Sequence, residues 1–149
     1  MGWLVGCNFT PSTAGNQLEM WQVETFDPAT IDRELGWAAD LGMNVIRVYL
    51  HDLVFSSDGA AFLDRLDQVL SIADAHGIAM IPVLFDGVWH PEPRLGRQPE
   101  PAPRLHNSIW LQSPGRIVLD DPTRWHALGP YVFEVLSRFG DDRRVIAWD

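Results

Sequence analysis

The feature that most constrains this chain is a regular alternation of short apolar runs with amphipathic helical segments. Gly2–Phe9 (GWLVGCNF), Asn44–His51 (NVIRVYLH), Ile78–Phe85 (IAMIPVLF) and Arg144–Asp149 (RVIAWD) read as buried strands. Between the first two, Asp27 is placed to cap a helix with Pro28 at its first position. Ile31, Leu35 and Ala38 or Ala39 then recur at helical spacing, and Gly42 closes it. Asp58–Gly77 repeats the pattern with Phe62, Leu66, Val69 and Ala73 on one face. A third helix enters at Asp121-Pro122, and Gly129-Pro130 is expected to break or kink it. The order β-α-β-α-β-α-β demands a parallel sheet with right-handed crossovers.

Two parallel architectures compete. An open doubly wound sheet would carry a glycine-rich phosphate loop, but neither G-x-G-x-x-G nor G-x-x-x-x-G-K-[ST] occurs. The segment after the first strand, TPSTAGNQLEMWQVET, is instead long, polar and aromatic. In the second strand, Val45, Arg47, Tyr49 and His51 share one face, and Ile46, Val48 and Leu50 the other. An inward Arg needs a carboxylate partner or a wet cleft, and the mouth of a (β/α)8 barrel offers both. The expected fold is therefore α/β, a partial TIM (β/α)8 barrel of about four strands and three helices. Complete barrels take eight strands and about 250 residues. The 149 residues thus read as a single incomplete domain, residues 1–149. Pro82 fits poorly in a central strand because it lacks a donor.

A net charge of -9 and a pI near 4.8 argue against nucleic acid and against an anionic membrane surface as partners. No apolar run approaches the length of a bilayer span, and the opening MGWLVGCNF lacks the marks of a signal peptide, so a cytoplasmic location is expected. Cys7 is the one cysteine; a small hydrophobe in a buried strand is its expected role.

GCNFTPS, LGWAADLGMNVIRVYLHD, HGIAMIPVLFDG, HNSIWLQSPGR and DDRRVIAWD together resemble the cellulase-like (β/α)8 glycoside hydrolases, the clan that includes the family-five β-glycanases. The resemblance covers the chain but only the first half of that barrel. It implies hydrolysis of O-glycosidic bonds in a β-linked oligosaccharide or glycan by a retaining mechanism with two Glu residues. In the clan, the fourth strand runs on into an Asn-Glu-Pro triplet bearing the general acid/base, and the nucleophile follows the seventh strand. Neither Glu maps onto a residue of this sequence, so the fragment alone is expected to be inactive, with no cofactor. Arg47 matches the clan arginine that holds the nucleophile ionised, its own carboxylate partner expected to lie outside the chain.

Other residues are assigned by position. Asn8 is a candidate for the active-site network or for a local turn with Thr10 and Pro11. Trp21, Trp89 and Trp110 fall in the loops, where flat aromatics stack on sugar C–H faces or anchor the loop. His51, Asp86 and His106 are expected to line the cleft, whereas Trp37, Trp125 and Trp148 are expected to pack. Glu19, Asp52 and Asp86 lie near strand ends without a spacing that pairs them for catalysis. His51, His90 and His106 raise a metal-dependent barrel hydrolase as an alternative, although no H-x-H or H-E-x-x-H occurs. A further alternative is a half-barrel binding or assembly module that self-associates through its open sheet edges.

Overall fold

The computed structural model describes residues 2–149 and contains one parallel sheet in the order β1-β2-β3. The strands are β1 (Gly6–Asn8), β2 (Val45–Tyr49) and β3 (Ala79–Val83). The helices are α1 (Gln17–Trp21), α2 (Pro28–Asp40), α3 (Asp52–Ala75), α4 (Arg116–Leu119) and α5 (Gly129–Phe139), with a 3-10 turn at Pro122–Leu128. Parallel pairing sets Asn8 beside Arg47 and Arg47 beside Ile81.

At β2 and β3 the sheet is covered on one face. Ile46, Val48, Leu50 and Met80 form one core cluster with Ile31 and Leu35 of α2, Phe62, Leu66 and Val69 of α3, and Val135 and Phe139 of α5. Each such side chain contributes about 1.5–3 kcal/mol by leaving water. Asp27 caps α2 by accepting from the Thr30 N–H at 3.0 Å, as its position before Pro28 predicts. Gly77 ends α3 with φ at +71°, a conformation that a Cβ disfavours. The Gly129-Pro130 boundary separates the 3-10 turn from α5, so the expected break is present. Among the described residues, no helix is long and apolar enough to cross a membrane.

Several expectations need correction. α3 begins at Asp52, six residues earlier than its pattern suggests, and its backbone leaves helical geometry at Asp58 (φ -155°, ψ 75°). Asp58 accepts from the Ala61 N–H at 3.4 Å, a second cap within the helix, which is why the sequence reads as a start there. β1 is shorter than Gly2–Phe9 and exposed rather than buried, because no layer covers it on either side. Cys7 is accordingly exposed, not a core residue. Trp37 and Trp125 are also more than half exposed.

The fourth strand is reduced to a bridge between Met80 and Val145. The chain still runs beside β3: Met80 N–H donates to Arg144, Ile146 N–H to Met80, Asp149 N–H to Pro82, and Leu84 N–H to Asp149. Two steps along β3, from Met80 to Pro82, face three along the C-terminal segment, from Ile146 to Asp149. Pro82 has no N–H to offer at this edge, so the ladder bulges where its donor would stand. The β2–β3 ladder is untouched, since Pro82 turns its polar groups the other way.

Candidate functional site

The uncovered face of the sheet ends in a cleft of about 500 Å³ beyond the C-terminal ends of the strands. Asn8 from β1 and Tyr49 from β2 form its floor, and the long segment between β3 and α4 brings Trp89, His106 and Trp110 to its wall. Four expected residues, Asn8, Trp89, His106 and Trp110, are thus brought together. Tyr49 was not singled out by sequence, although its shared parity with Arg47 is the signal that places it here.

The aromatic wall is a chain of edge contacts. Tyr49 and Trp110 meet at 4.9 Å between ring centroids and Trp110 and Trp89 at 5.6 Å, both T-shaped. Asp86 does not line this cleft. Its carboxylate accepts from the Trp89 indole N–H at 2.8 Å and from the Val88 N–H at 3.3 Å, which fixes the ring. Asp86 is itself held by paired backbone bonds with Ser113, at 2.7 and 2.9 Å.

Arg47 lies just beneath. Its Nε and Nη2 both reach Asp149 Oδ2 at 2.7 Å, and Nη1 approaches Asn8 Oδ1 at 3.4 Å. Nη1 also donates to the Tyr49 hydroxyl, and the guanidinium carbon sits 4.7 Å from the Tyr49 ring centre. Burial alone would lower the Arg47 pKa, but the hydrogen bonds to Asp149 and Tyr49 and the charge of Asp149 outweigh it and raise it. Within the chain, Asp149 supplies Arg47 with a carboxylate partner, which the sequence reading did not anticipate.

Trp21 and His51 are not cleft residues. Trp21 is fully buried and donates its indole N–H to the Tyr49 carbonyl at 2.7 Å, so it supports the floor from below. His51 is fully buried as the cap of α3, its Nδ1 accepting from the Leu53 N–H at 3.2 Å. The parity argument placed it on the inner face, but β2 ends at Tyr49 and the chain turns directly into the helix. Asp52 is buried and accepts from the Ser113 hydroxyl at 2.8 Å, while Glu19 accepts from the Gly15 N–H at 2.7 Å. Among the described residues, no three His, Cys, Asp or Glu side chains are grouped to hold a metal ion.

Sequence reasoning missed the residues that fasten the wall. Gln17 is buried and acts as a strand partner for Leu111, donating to its carbonyl at 3.1 Å and accepting its N–H at 3.2 Å. Asn16 donates to the Ile109 carbonyl at 3.0 Å and to Gln98 at 2.9 Å, and Gln22 exchanges two bonds with Gly96. Buried amides of this kind are kept only when satisfied. Polar residues in a loop carry no sequence signal of the distant backbone that satisfies them.

A parallel sheet covered by helices on one face, with a polar and aromatic cleft at its carboxyl end, is the arrangement found in part of a (β/α)8 barrel. A solved structure of the exo-beta-1,4-mannosidase Op5Man5 from Opitutaceae bacterium strain TAV5 matches it with a TM-score of 0.65. The match has 24% sequence identity and covers 98% of this chain and 24% of that one. This chain therefore spans about a quarter of that enzyme's length, and the match establishes the fold. No family model and no curated protein matches the chain.

Proposed function

We propose that this chain forms one side of a carbohydrate-binding cleft in a glycoside hydrolase that cleaves a β-linked oligosaccharide with retention. The observation that carries this reading is the Tyr49–Trp110–Trp89 wall standing beside Asn8 and His106 at the ends of parallel strands. Indole faces offer apolar area to sugar C–H groups, and the amide and imidazole offer hydrogen bonds to the hydroxyls. The similar enzyme is an exo-beta-1,4-mannosidase, so β-1,4-linked mannose is the first sugar to test.

Retention needs two carboxyl groups roughly 5–5.5 Å apart across the scissile bond. Neither Asp nor Glu is among the residues lining this cleft, and the acids nearby are engaged: Asp86 by the Trp89 indole and Asp149 by Arg47. Chemistry is accordingly assigned to carboxyls beyond these residues, and binding and orientation to the chain itself. Arg47 has five N–H groups; those not held by Asp149, Asn8 and Tyr49 leave one Nη2–H to offer. A nucleophilic carboxylate placed against it would stay ionised, because a neighbouring guanidinium lowers a carboxyl pKa by about 1–3 units.

The test is a tryptophan-fluorescence titration with β-1,4-mannotriose and cellotriose. A saturable change is expected, weakened about tenfold in Trp110→Ala, equivalent to roughly 1.4 kcal/mol. No saturable change at about 10 mM sugar, well above a millimolar constant, would sink the reading. An aryl β-mannoside should not be turned over by the 149-residue chain. Hydrolysis that disappears in Glu19→Gln or Asp52→Asn would reassign the chemistry to this chain.

A further inference from the structure

A second cleft, of about 390 Å³, lies between the end of α1, the first part of α3 and the Leu95–Gly96 turn. It shares no residue with the cleft that holds Trp110. Arg65 lines it and is only 8% exposed. Its Nε has no hydrogen-bond partner, and among the described residues no carboxylate is within ion-pair reach of its guanidinium. Burial disfavours the Arg65 charge, while Asp58, Glu24 and Asp64 favour it only through space. Its enclosed Nε–H is left without an acceptor, which makes it an unusual residue to keep unless something else pairs with it.

The rest of the lining limits what can pair with it. Glu24 and Asp58 are exposed carboxylates on the same cleft, Ser57 adds a hydroxyl, and Val23 and Leu95 expose apolar surface. The kink of α3 at Asp58 is what brings that carboxylate to the cleft rather than into a regular helical turn. A simple anion would reach Arg65 but would meet two like charges. A cation would be drawn to Glu24 and Asp58 but repelled by Arg65. A neutral group that both accepts and donates satisfies all three, and adjacent hydroxyls on an apolar ring do so with the ring resting on Val23 and Leu95.

We propose that this cleft is a second ligand site for a neutral polyhydroxylated molecule, a sugar unit. Arg65 donates to its hydroxyl oxygens, and Glu24 and Asp58 accept its hydroxyl protons. The assignment follows from the charges of the cleft and does not depend on the reading of the Trp110 cleft.

The experiment is an NMR titration of the 149-residue chain with mannose and glucose, following the Arg65 Nε–H and the Glu24 and Asp58 amides. The Trp110 indole N–H reports the other cleft. Saturable shifts at Arg65 and at the Glu24 and Asp58 amides are expected, persisting in Trp110→Ala, and the two amide shifts should be lost in Arg65→Met. Arg65→Met keeps an apolar stem of similar length while removing the donors, so it should melt close to the parent. Glu24→Gln and Asp58→Asn should each weaken the site about threefold; Asn keeps the cap on Ala61. These two variants decide the matter if Arg65→Met fails to fold. No shift at Arg65 in about 50 mM sugar, where a millimolar site is saturated, would overturn the proposal. So would unchanged binding in Arg65→Met, or a stronger response to inorganic phosphate or to glycine than to either sugar.

Discussion

Tyr131 is almost wholly enclosed, and its hydroxyl donates to the Leu84 carbonyl at 3.0 Å. Burial, with the charge of Asp52 added, raises its pKa well above the ordinary phenol value. The sign follows directly. Unfolded chains release this proton near pH ~10 while the folded chain retains it, so its contribution is complete below ~10 and declines as pH rises beyond that. Urea midpoints should fall steeply above about pH 10, and Tyr131→Phe should flatten that limb while losing about 1 kcal/mol from the missing bond. A tyrosinate absorbance that is fully developed while the chain remains folded would contradict this. Arg47 and Asp149 make a weaker case, since both are substantially exposed. Asp149→Asn should lower stability by only about 0.5–1 kcal/mol, read from the denaturation midpoint. At this scale the sequence revealed Arg47 through the parity of β2, but not Asp149, which is 102 positions away. Trp21 reads as functional because it falls in a loop of the sequence pattern, and His51 because it stands at a strand end. Only coordinates tell a side chain facing the cleft from one buried beneath it.

The elements were more legible than their edges. α2 follows from its cap, its apolar spacing and its terminal glycine, each a local effect within a few residues. β1 did not, because strand length depends on the partner: only Gly6–Asn8 has β2 to pair with. Gly6 is also needed sterically, as a Cβ there would lie 1.8 Å from the Val45 carbonyl oxygen. Pro82 is a poor central residue, and its effect is confined to the edge that meets the C-terminal segment. The loop wall was the least legible part, because its order comes from long-range tethers rather than from its own residues. Gln17→Ala should therefore act at a distance. Leaving the Leu111 N–H and carbonyl without partners costs about 1–3 kcal/mol. Amide exchange should quicken across residues 109–113, and the Trp110 fluorescence response to sugar should weaken. Unchanged exchange in that segment would show that Asn16 and Gln22 suffice to hold the wall.

For the molecule as a whole, the decisive property is a sheet that has not closed. Barrels remove their edges by closure, whereas here β1 keeps one edge unpaired, and Trp3, Leu4 and Val5 before it are exposed at 87%, 47% and 42%. Apolar residues beside an unpaired parallel edge favour pairing with another strand. Opposing this, a net charge of -9 makes two copies repel one another. These forces respond differently to salt: screening weakens the repulsion, while apolar burial is preserved. Over about 10 Å at 0.1 M salt the charges are largely screened, but at 0.01 M they reach about 30 Å. Sedimentation should therefore find the chain largely monomeric at low salt and increasingly dimeric as salt is raised. Val5→Lys, which adds a charged side chain beside the open edge, should hold it monomeric throughout. A chain that stays monomeric at every salt concentration would show that this edge is not an association surface. Dimerisation that weakens with salt would point instead to contacts between opposite charges, such as those Arg143 and Arg94 expose.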